Sequence, residues 1–239
     1  MRAVRSLGLR AAAVVAAAAL MLVASACENR QSQEQVSKPQ QSERIAGSMR
    51  DYAKLLLEQN GGEMGDVQKS AVERVAETGK VPSADYETGL SGFRQCMLDR
   101  GYKEIIFVDI GKGLKVEATH KTGTDAQEER YSDDRYECNS LHSRSIGSLF
   151  EKQVGNPDLI KDPNDGIAEC LKREGLVDSS YTGKQYKKED DEYMKARGEG
   201  RKDAWPYSFA KDDYSKVNVC LFANGVLDVD PDWPWEYIY

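Results

Sequence analysis

The sequence is poor in the residue types and motifs on which common functional sites depend. It has only two histidines in 239 residues, too few for a usual zinc site unless cysteines serve as thiolate ligands. It contains no Gly-x-Ser-x-Gly, no phosphate-binding Gly-x-x-x-x-Gly-Lys-Ser/Thr and no His-Glu-x-x-His. These absences remove the main signatures of serine hydrolases, P-loop proteins and zinc peptidases. We therefore predict no catalytic residues, no metal site and no cofactor.

The chain also lacks an excess of basic charge. It carries 33 Lys and Arg against 40 Asp and Glu, a formal net charge of −7. Nucleic-acid binding requires clustered cations that neutralise phosphates, and adhesion to anionic lipid requires the same. The composition therefore argues against a nucleic-acid partner and against membrane binding through the protein surface.

Long apolar runs are absent except at the N-terminus. Three arginines within the first ten residues are followed by thirteen apolar residues, Ala11 to Val23, and then by Ala24-Ser25-Ala26. This run is shorter than the roughly 20 residues of a membrane-spanning helix. A basic start, a short apolar run and small residues at a cleavage site are typical of a secretory signal peptide. We predict that residues 1–26 are such a peptide.

Cleavage after Ala26 would make Cys27 the first residue of the mature chain. The segment resembles a bacterial lipobox, although Ala24 stands where that motif usually has Leu. The resemblance implies that the Cys27 sulfur receives a diacylglycerol and that its amine is acylated, which anchors the protein in the membrane. The alternative is cleavage by the ordinary signal peptidase, which would release a secreted protein. Residues 27–43 are predicted to form a flexible polar tether.

The four remaining cysteines, Cys96, Cys138, Cys170 and Cys220, form an even set. Exported proteins usually pair their structural cysteines in disulfides. Four cysteines allow three pairings. An internal repeat aligns "FRQCMLDRGYKE" at 93–104 with "IAECLKREGLVD" at 167–178, and each copy has a further cysteine downstream. The repeat favours pairing within each copy, Cys96 with Cys138 and Cys170 with Cys220.

The periodicity of apolar residues predicts a mainly α fold with a small β-hairpin (α+β), in which a two-copy helical domain is clipped by disulfides. We expect N-terminal helices at 44–82 and a first helix-hairpin-helix copy at 83–155. Its hairpin is "EIIFVDI" and "LKVEATH" joined by Gly-Lys-Gly, and its last helix runs from Asp125 with Tyr131, Cys138, Leu141 and Leu149 inward. The second copy, 156–239, has a charged insert in place of the hairpin, and then an aromatic tail.

The stretch "ERVAETGKVPSADYETGLSGFRQCMLDRGY", the hairpin and the distant Cys138 resemble a group of uncharacterised exported proteins and lipoproteins of actinobacteria. In that group a Cys-Met near a Gly-Tyr is followed by a small hairpin and a helical cysteine. The resemblance covers residues 66–150. It implies a location in the cell envelope and no particular activity.

All three tryptophans lie next to prolines, in "AWPY" and "DWPWEYIY". One interpretation is that the tail packs across the helical body, because large aromatic side chains are usually buried. The other is an exposed platform for a cell-wall glycan or another exported protein, since Trp and Tyr often anchor interfaces. The candidate binding residues are Trp205, Tyr207, Trp233, Trp235 and Tyr237.

Three hypotheses for function follow. The first is a non-enzymatic envelope lipoprotein, anchored by lipid on the extracellular face, that binds a wall component or another exported protein. The second is a wall-acting enzyme, and the third is a structural spacer. Lys121-Thr122-Gly123 and Ser208-Phe209-Ala210-Lys211 match two boxes of serine penicillin-binding enzymes, but in reversed order. Acids gathered with Trp205 in a deep cleft would favour an enzyme, whereas an aromatic patch would favour binding.

Overall fold

The computed structural model describes residues 42–227, 229 and 232–239. The predicted signal peptide, Cys27 and nearly all of the predicted tether lie outside these residues. The described part is mainly helical with a small antiparallel hairpin, as predicted. Its helices are α1 Met49–Asn60, α2 Asp66–Thr78, α3 Ser83–Asp99, α4 Asp125–His142, α5 Arg144–Gly155, α6 Pro163–Arg173, α7 Gly183–Gly198 and α8 Tyr214–Phe222. Its strands are β1 Phe107–Gly111, β2 Leu114–Glu117, β3 Thr119–His120 and β4 Trp235–Glu236.

Helices α1, α2 and α5 pack around an apolar core together with the hairpin. The Ser48 side chain caps α1 by accepting a hydrogen bond from Asp51 N at 3.2 Å, and α2 ends at Gly79 in the left-handed conformation. Such caps satisfy backbone groups that a helix end leaves unpaired. The largest fully buried members of this core are Leu114, Ile146, Leu149, Val72, Val75 and Val81.

The predicted hairpin forms from β1 and β2, which pair antiparallel with Phe107 opposite Glu117 and Val108 opposite Val116. The connecting Gly111, Lys112 and Gly113 all have positive φ angles. Glycine adopts that conformation without steric cost, which explains why two glycines flank the turn.

Both predicted disulfides are present. Cys96–Cys138 joins α3 to α4, and Cys170–Cys220 joins α6 to α8, with sequence separations of 42 and 50 residues. Closing loops of this length stabilises a fold by about 4 kcal/mol each in the chain-entropy model. Disulfides persist in oxidising compartments, so the pair indicates an extracellular or exported protein.

The structure extends the sequence repeat to a third copy. Gly101, Gly175 and Gly225 each lie five residues after a disulfide cysteine and each have a positive φ angle. After each glycine, the next N–H bonds the carbonyl five residues earlier: Tyr102 to Met97, Leu176 to Leu171 and Val226 to Leu221. This is the Schellman C-cap. The same structural unit therefore occurs three times, in "CMLDRGY", "CLKREGL" and "CLFANGV". In each copy the cysteine lies in the last turns of a helix.

The long helix predicted from Asp125 through Leu149 is wrong in one respect. It breaks at Ser143, whose φ and ψ of −135° and −21° are not helical, and gives α4 and α5. Leu141 consequently lies exposed rather than inward. The break brings Ile146 onto Gly89 of α3, where a Cβ would lie 2.8 Å from the Ile146 Cγ2 atom. The absence of a side chain at residue 89 therefore permits this close contact.

The first described residues contact the folded body. Ser42 Oγ donates to Asp165 Oδ2 at 2.9 Å, and Lys161 forms an ion pair with Glu43 at 2.9 Å. Arg44 pairs with Ile160 as an isolated bridge. Among the described residues, part of the predicted tether, Ser42 and Glu43, thus contacts the body. Within the described residues, no helix combines the length and apolar character needed to cross a membrane.

The C-terminal tail adds a strand beside the hairpin. β4 pairs parallel with β3, Thr119 opposite Trp235 and His120 opposite Glu236. Because side chains alternate along a strand, Glu236 and Ile238 are buried while Trp235 and Tyr237 are exposed. Ile238 completes the apolar cluster around the first disulfide.

Glu236 is a buried carboxylate with incomplete hydrogen bonding. The side chain is 0% exposed, Oε1 accepts from Ile106 N–H, and Oε2 has no partner within the described residues. Burial, together with the nearby carboxylates of Glu117 and Glu104, raises the pKa of Glu236 to about 7, although the hydrogen bond from Ile106 N–H and the charge of Arg135 oppose this shift. The folded state therefore holds a proton on Glu236 that the unfolded chain would release near its ordinary pKa.

We predict that Glu236 makes the fold less stable as pH rises between about 4.5 and 7, because a raised folded-state pKa favours the folded state only while the group is protonated. Replacement Glu236→Gln removes the buried charge and should raise the melting temperature at pH 8 more than at pH 5. Thermal unfolding followed by circular dichroism at both pH values measures this. The exposed Glu58→Gln is the matched control, and equal effects of the two variants would contradict the prediction.

Candidate functional site

The five candidate aromatic residues lie at three separate places. Trp205 and Tyr207 belong to a ring cluster beside α7, in which their centroids are 5.0 Å apart. Trp233 is half-buried against β1 and α8. Trp235 and Tyr237 lie exposed on β4 and just after it, and Lys121 Nζ sits 4.0 Å from the centroid of the Trp235 ring. The sequence prediction of one aromatic tail surface is therefore incomplete, because the tail contributes exposed rings but the main cluster lies elsewhere.

The main cluster lines a cleft of about 410 Å³ between α7, the loop 205–209 and the end of α8. We call it the aromatic cleft. Its walls are mostly rings and aliphatic side chains, with one acid and one arginine. The lining residues are Tyr186, Asp190, Tyr193, Met194, Arg197, Tyr207, Phe209, Tyr214, Leu221, Val226 and Leu227. Trp205 does not line the cleft but lies behind its rings.

Helix α7 supplies one wall of the cleft through a single stripe. Thr182 caps the helix by accepting from Gln185 N at 3.2 Å, and Gly200 ends it with a positive φ angle. Five lining side chains recur at spacings of one, three or four residues, which places them on one side of a helix. They are Tyr186, Asp190, Tyr193, Met194 and Arg197. The charge content of this segment predicted only a charged insert, although the seven-residue spacing of Tyr186 and Tyr193 indicates a helical stripe.

The opposite wall is the loop 205–209, which is held in place by ring packing. The Tyr207 and Phe209 rings stack with centroids 4.7 Å apart, and Trp205 packs edge-on against Phe209 and Tyr214 at 5.6 Å. Trp205 Nε1 donates to Phe209 O at 2.9 Å, so the indole N–H of this half-buried side chain is satisfied. Aromatic pairs in these geometries are worth about 0.5–1.5 kcal/mol each beyond their buried area. The cleft wall is therefore preformed.

Glu189 ties this loop to α7. Its carboxylate accepts hydrogen bonds from Ser208 N at 3.1 Å, Ser208 Oγ at 2.5 Å and Tyr181 OH at 2.5 Å, and from Gln185 Nε2 at 3.0 Å. Although burial opposes the shift, the hydrogen bonds from Ser208 and Tyr181 lower the pKa of Glu189. Next to it, Asp190 Oδ1 accepts from Tyr207 OH at 2.8 Å. Glu189 and Asp190 thus position the aromatic wall.

These contacts bear on the chemistry available in the cleft. A general acid needs a transferable proton and a carboxyl oxygen that can reach the ligand. Glu189 is ionised and bonded on both oxygens, and the Ser208 hydroxyl donates to it. Ser208 is therefore engaged in loop packing rather than aimed into the cleft. Among the described residues, no group of three or more His, Cys, Asp or Glu side chains is placed to hold a metal ion.

Exposed aliphatic side chains border the aromatic cleft. Met194, Val226 and Leu227 all belong to its lining and all are exposed to solvent. Large apolar side chains gathered at one exposed place are characteristic of binding surfaces. The arrangement is suited to an apolar ligand that covers the rings and these three side chains together.

We predict that Glu189→Ala destabilises the fold by about 2–4 kcal/mol, because Tyr181 OH and Ser208 N–H lose a charged acceptor in a buried setting. Trp205 should become more solvated, which shifts its fluorescence to longer wavelength. Urea unfolding and tryptophan emission measure the two effects. The exposed Glu192→Ala on the same helix is the control, and an unchanged unfolding midpoint in Glu189→Ala would contradict this role.

Comparisons with known proteins do not assign this site. No protein-family model matches the chain, and neither curated proteins nor solved structures give a significant match. The function is therefore argued from the fold and the cleft alone.

Proposed function

We propose that this protein is a membrane-anchored envelope lipoprotein that acts as a non-enzymatic binding module, and that its aromatic cleft receives an apolar segment of another exported protein. The observation that carries the proposal is the preformed ring wall bordered by exposed Met194, Val226 and Leu227. The resemblance of residues 66–150 to actinobacterial exported lipoproteins agrees with an envelope location.

The number and pairing of the cysteines support a lipid anchor at Cys27. Of the five cysteines in the sequence, four are joined in two disulfides. Cys27 follows small residues at the end of an apolar run and precedes a polar segment. A thioether to diacylglycerol accounts for an unpaired cysteine at this position, and a second acyl chain on its amine would make the attachment stable.

The composition of the cleft supports a polypeptide ligand over a glycan. Sugar-binding sites place exposed rings beside free hydrogen-bonding groups, which pair with the sugar hydroxyls. Here Asp190 Oδ1 already accepts from Tyr207 OH, and the polar groups are few beside the rings and the exposed Met194, Val226 and Leu227. The exposed Met194 and Leu227 offer no hydrogen bonds. Apolar side chains of a partner would bury this surface at about 25 cal/mol per Å².

The anchor is tested by the intact mass of the protein from its native membrane fraction, before and after reduction and alkylation. We expect a chain that begins at Cys27 with the added mass of diacylglycerol, and four alkylated thiols that appear only after reduction. Replacement Cys27→Ala should move the protein from the membrane to the soluble fraction. An unmodified Cys27 in a soluble chain would overturn the anchor without affecting the cleft.

The cleft is tested by a photo-crosslinking amino acid placed at Met194 or Leu227 in the full chain in native cells. We expect a discrete adduct with an exported protein, at least fivefold more abundant than from Val67. Val67 is the matched control because it is 63% exposed, against 62% for Met194, but lies outside the cleft. The adduct from Leu227 should disappear when Met194→Lys is introduced, and Val67→Lys should leave it unchanged.

Equal adducts from Met194 and Val67 would contradict a specific cleft. Binding of the purified protein to isolated cell-wall glycan, lost in Met194→Lys and retained in Val67→Lys, would instead assign the cleft to a glycan and overturn the polypeptide ligand.

A further inference from the structure

A second cavity, of about 280 Å³, lies between the hairpin and helices α3, α4 and α5. We call it the Glu151 cavity. It differs from the aromatic cleft because polar and charged groups converge on it, and only Leu227 lines both. Apolar walls come from Tyr86, Leu90, Phe93, Phe107, Val116 and Phe222. Its polar groups are Lys115, Glu117, Arg135, Asn139, Ser143, Arg144, Ser148 and Glu151.

The cations that line the Glu151 cavity are already paired with carboxylates. Arg135 Nε lies 2.6 Å from Glu117 Oε2, and Lys115 Nζ lies 2.7 Å from Glu87 Oε1. Arg144 NH1 lies 3.6 Å from Glu63 Oε2, and its guanidinium also covers the Tyr136 ring at 4.2 Å. The positive charges at this cavity are thus compensated within the protein.

Glu151 is the lining carboxylate that no described residue pairs with. It makes no hydrogen bond and no ion pair within the part of the chain that the structure describes. Its neighbour Lys152 donates to Ala223 O instead. The three lining cations are engaged by other carboxylates, and the neighbouring Lys152 attracts Glu151 without forming an ion pair with it. Glu151 therefore has no direct counter-ion among the described residues. Unpaired charge in a partly closed, partly apolar site is unfavourable, and a ligand of opposite charge would relieve it.

The backbone around Glu151 leaves room for such a ligand. Gly147 precedes Glu151 by one helical turn, and a Cβ at residue 147 would lie 4.0 Å from Glu151 Oε1. The space above Gly147 is therefore open beside the carboxylate. The Tyr86 ring stacks on Phe150 with centroids 4.2 Å apart, and its hydroxyl is fixed by Lys115 N at 3.0 Å. A rigid ring thus forms one wall, and ring faces attract cations.

We infer that the Glu151 cavity binds a primary ammonium group carried on a small apolar body, with Glu151 as its counter-ion. Such a group belongs either to a free amine or to a lysine side chain of a polypeptide. The inference does not depend on the ligand of the aromatic cleft, because it rests on other residues in another cavity.

The proposal includes a dependence on pH. Burial raises the pKa of Glu151 to about 6, which the neighbouring Lys152 opposes. An ammonium ligand needs the ionised carboxylate, so affinity should fall as pH decreases through this value. At pH 5 only about one tenth of Glu151 would be ionised in the free protein. The other titratable or charged side chains at the cavity or interacting with Glu151 are Tyr52, Tyr86, Lys115, Glu117, Arg135, Arg144 and Lys152.

The test is isothermal titration of the purified protein with 2-phenylethylammonium and, separately, with N-acetyl-lysine amide at pH 7.5. Binding of the first alone indicates a free amine, and binding of the second indicates a lysine side chain; either supports the inference. The neutral 2-phenylethanol should bind at least tenfold more weakly than the ammonium. Affinity for the ammonium should fall about tenfold at pH 5.

Replacement Glu151→Gln should weaken binding at least tenfold and remove its pH dependence, whereas the exposed Glu73→Gln should change neither. Gly147→Leu keeps the carboxylate but fills the space beside it, and should also abolish binding while the protein stays folded by circular dichroism. The inference would be overturned if neither ammonium probe binds, if the alcohol binds equally well, or if Glu151→Gln leaves the affinity unchanged. Titration with the anion phenylacetate is a further control, and tighter binding of this anion than of the ammonium would also overturn the inference.

Discussion

The Cys170–Cys220 disulfide is the constraint on which the second half of the fold depends. It joins α6 to α8, and the residues that line the aromatic cleft lie inside the loop that it closes, apart from Leu221, Val226 and Leu227. Helix α7 buries few apolar side chains. Tyr186 and Ala196 are the only buried residues of α7 with an apolar side chain. Such a helix is marginal by itself. The disulfide offsets this small core by lowering the entropy of the unfolded chain, and the Glu189 hydrogen bonds to Ser208 hold the loop 205–209 against α7.

Parts of the fold could be predicted from sequence because their signals are local. The Cys-apolar-x-x-x-Gly-apolar pattern repeats in the sequence, and a left-handed glycine after a helix is a requirement of backbone geometry. The repeat also led to the correct cysteine pairing. The hairpin followed from two apolar runs around Gly-Lys-Gly. The third copy, at Cys220, was not predicted. "CLFANGV" lacks the charged residues that precede the glycine in the other two copies, so it does not align with them by sequence.

Other features depend on contacts between distant segments and have no local signal. The break at Ser143 accompanies the packing of Ile146 on Gly89, more than fifty residues earlier in the chain. Glu236 lies in an aromatic, acidic tail that has the composition of a solvated segment, yet pairing with β3 places its carboxylate fully inside. The aromatic cleft was half-predicted: Tyr207 was identified as a binding residue, but the wall supplied by α7 was hidden in a segment dominated by Lys, Glu and Asp. Charge content alone does not distinguish a solvated helix from one with a functional stripe.

Leu227 has a further consequence, since it borders both the aromatic cleft and the Glu151 cavity. It follows directly after the Schellman cap at Gly225, so its backbone is fixed on one side by α8 while its side chain is exposed. If a ligand in each cavity favours a particular rotamer of Leu227, each ligand changes the affinity of the other by the same factor. The two sites are then thermodynamically linked, and any cooperativity between them is reciprocal.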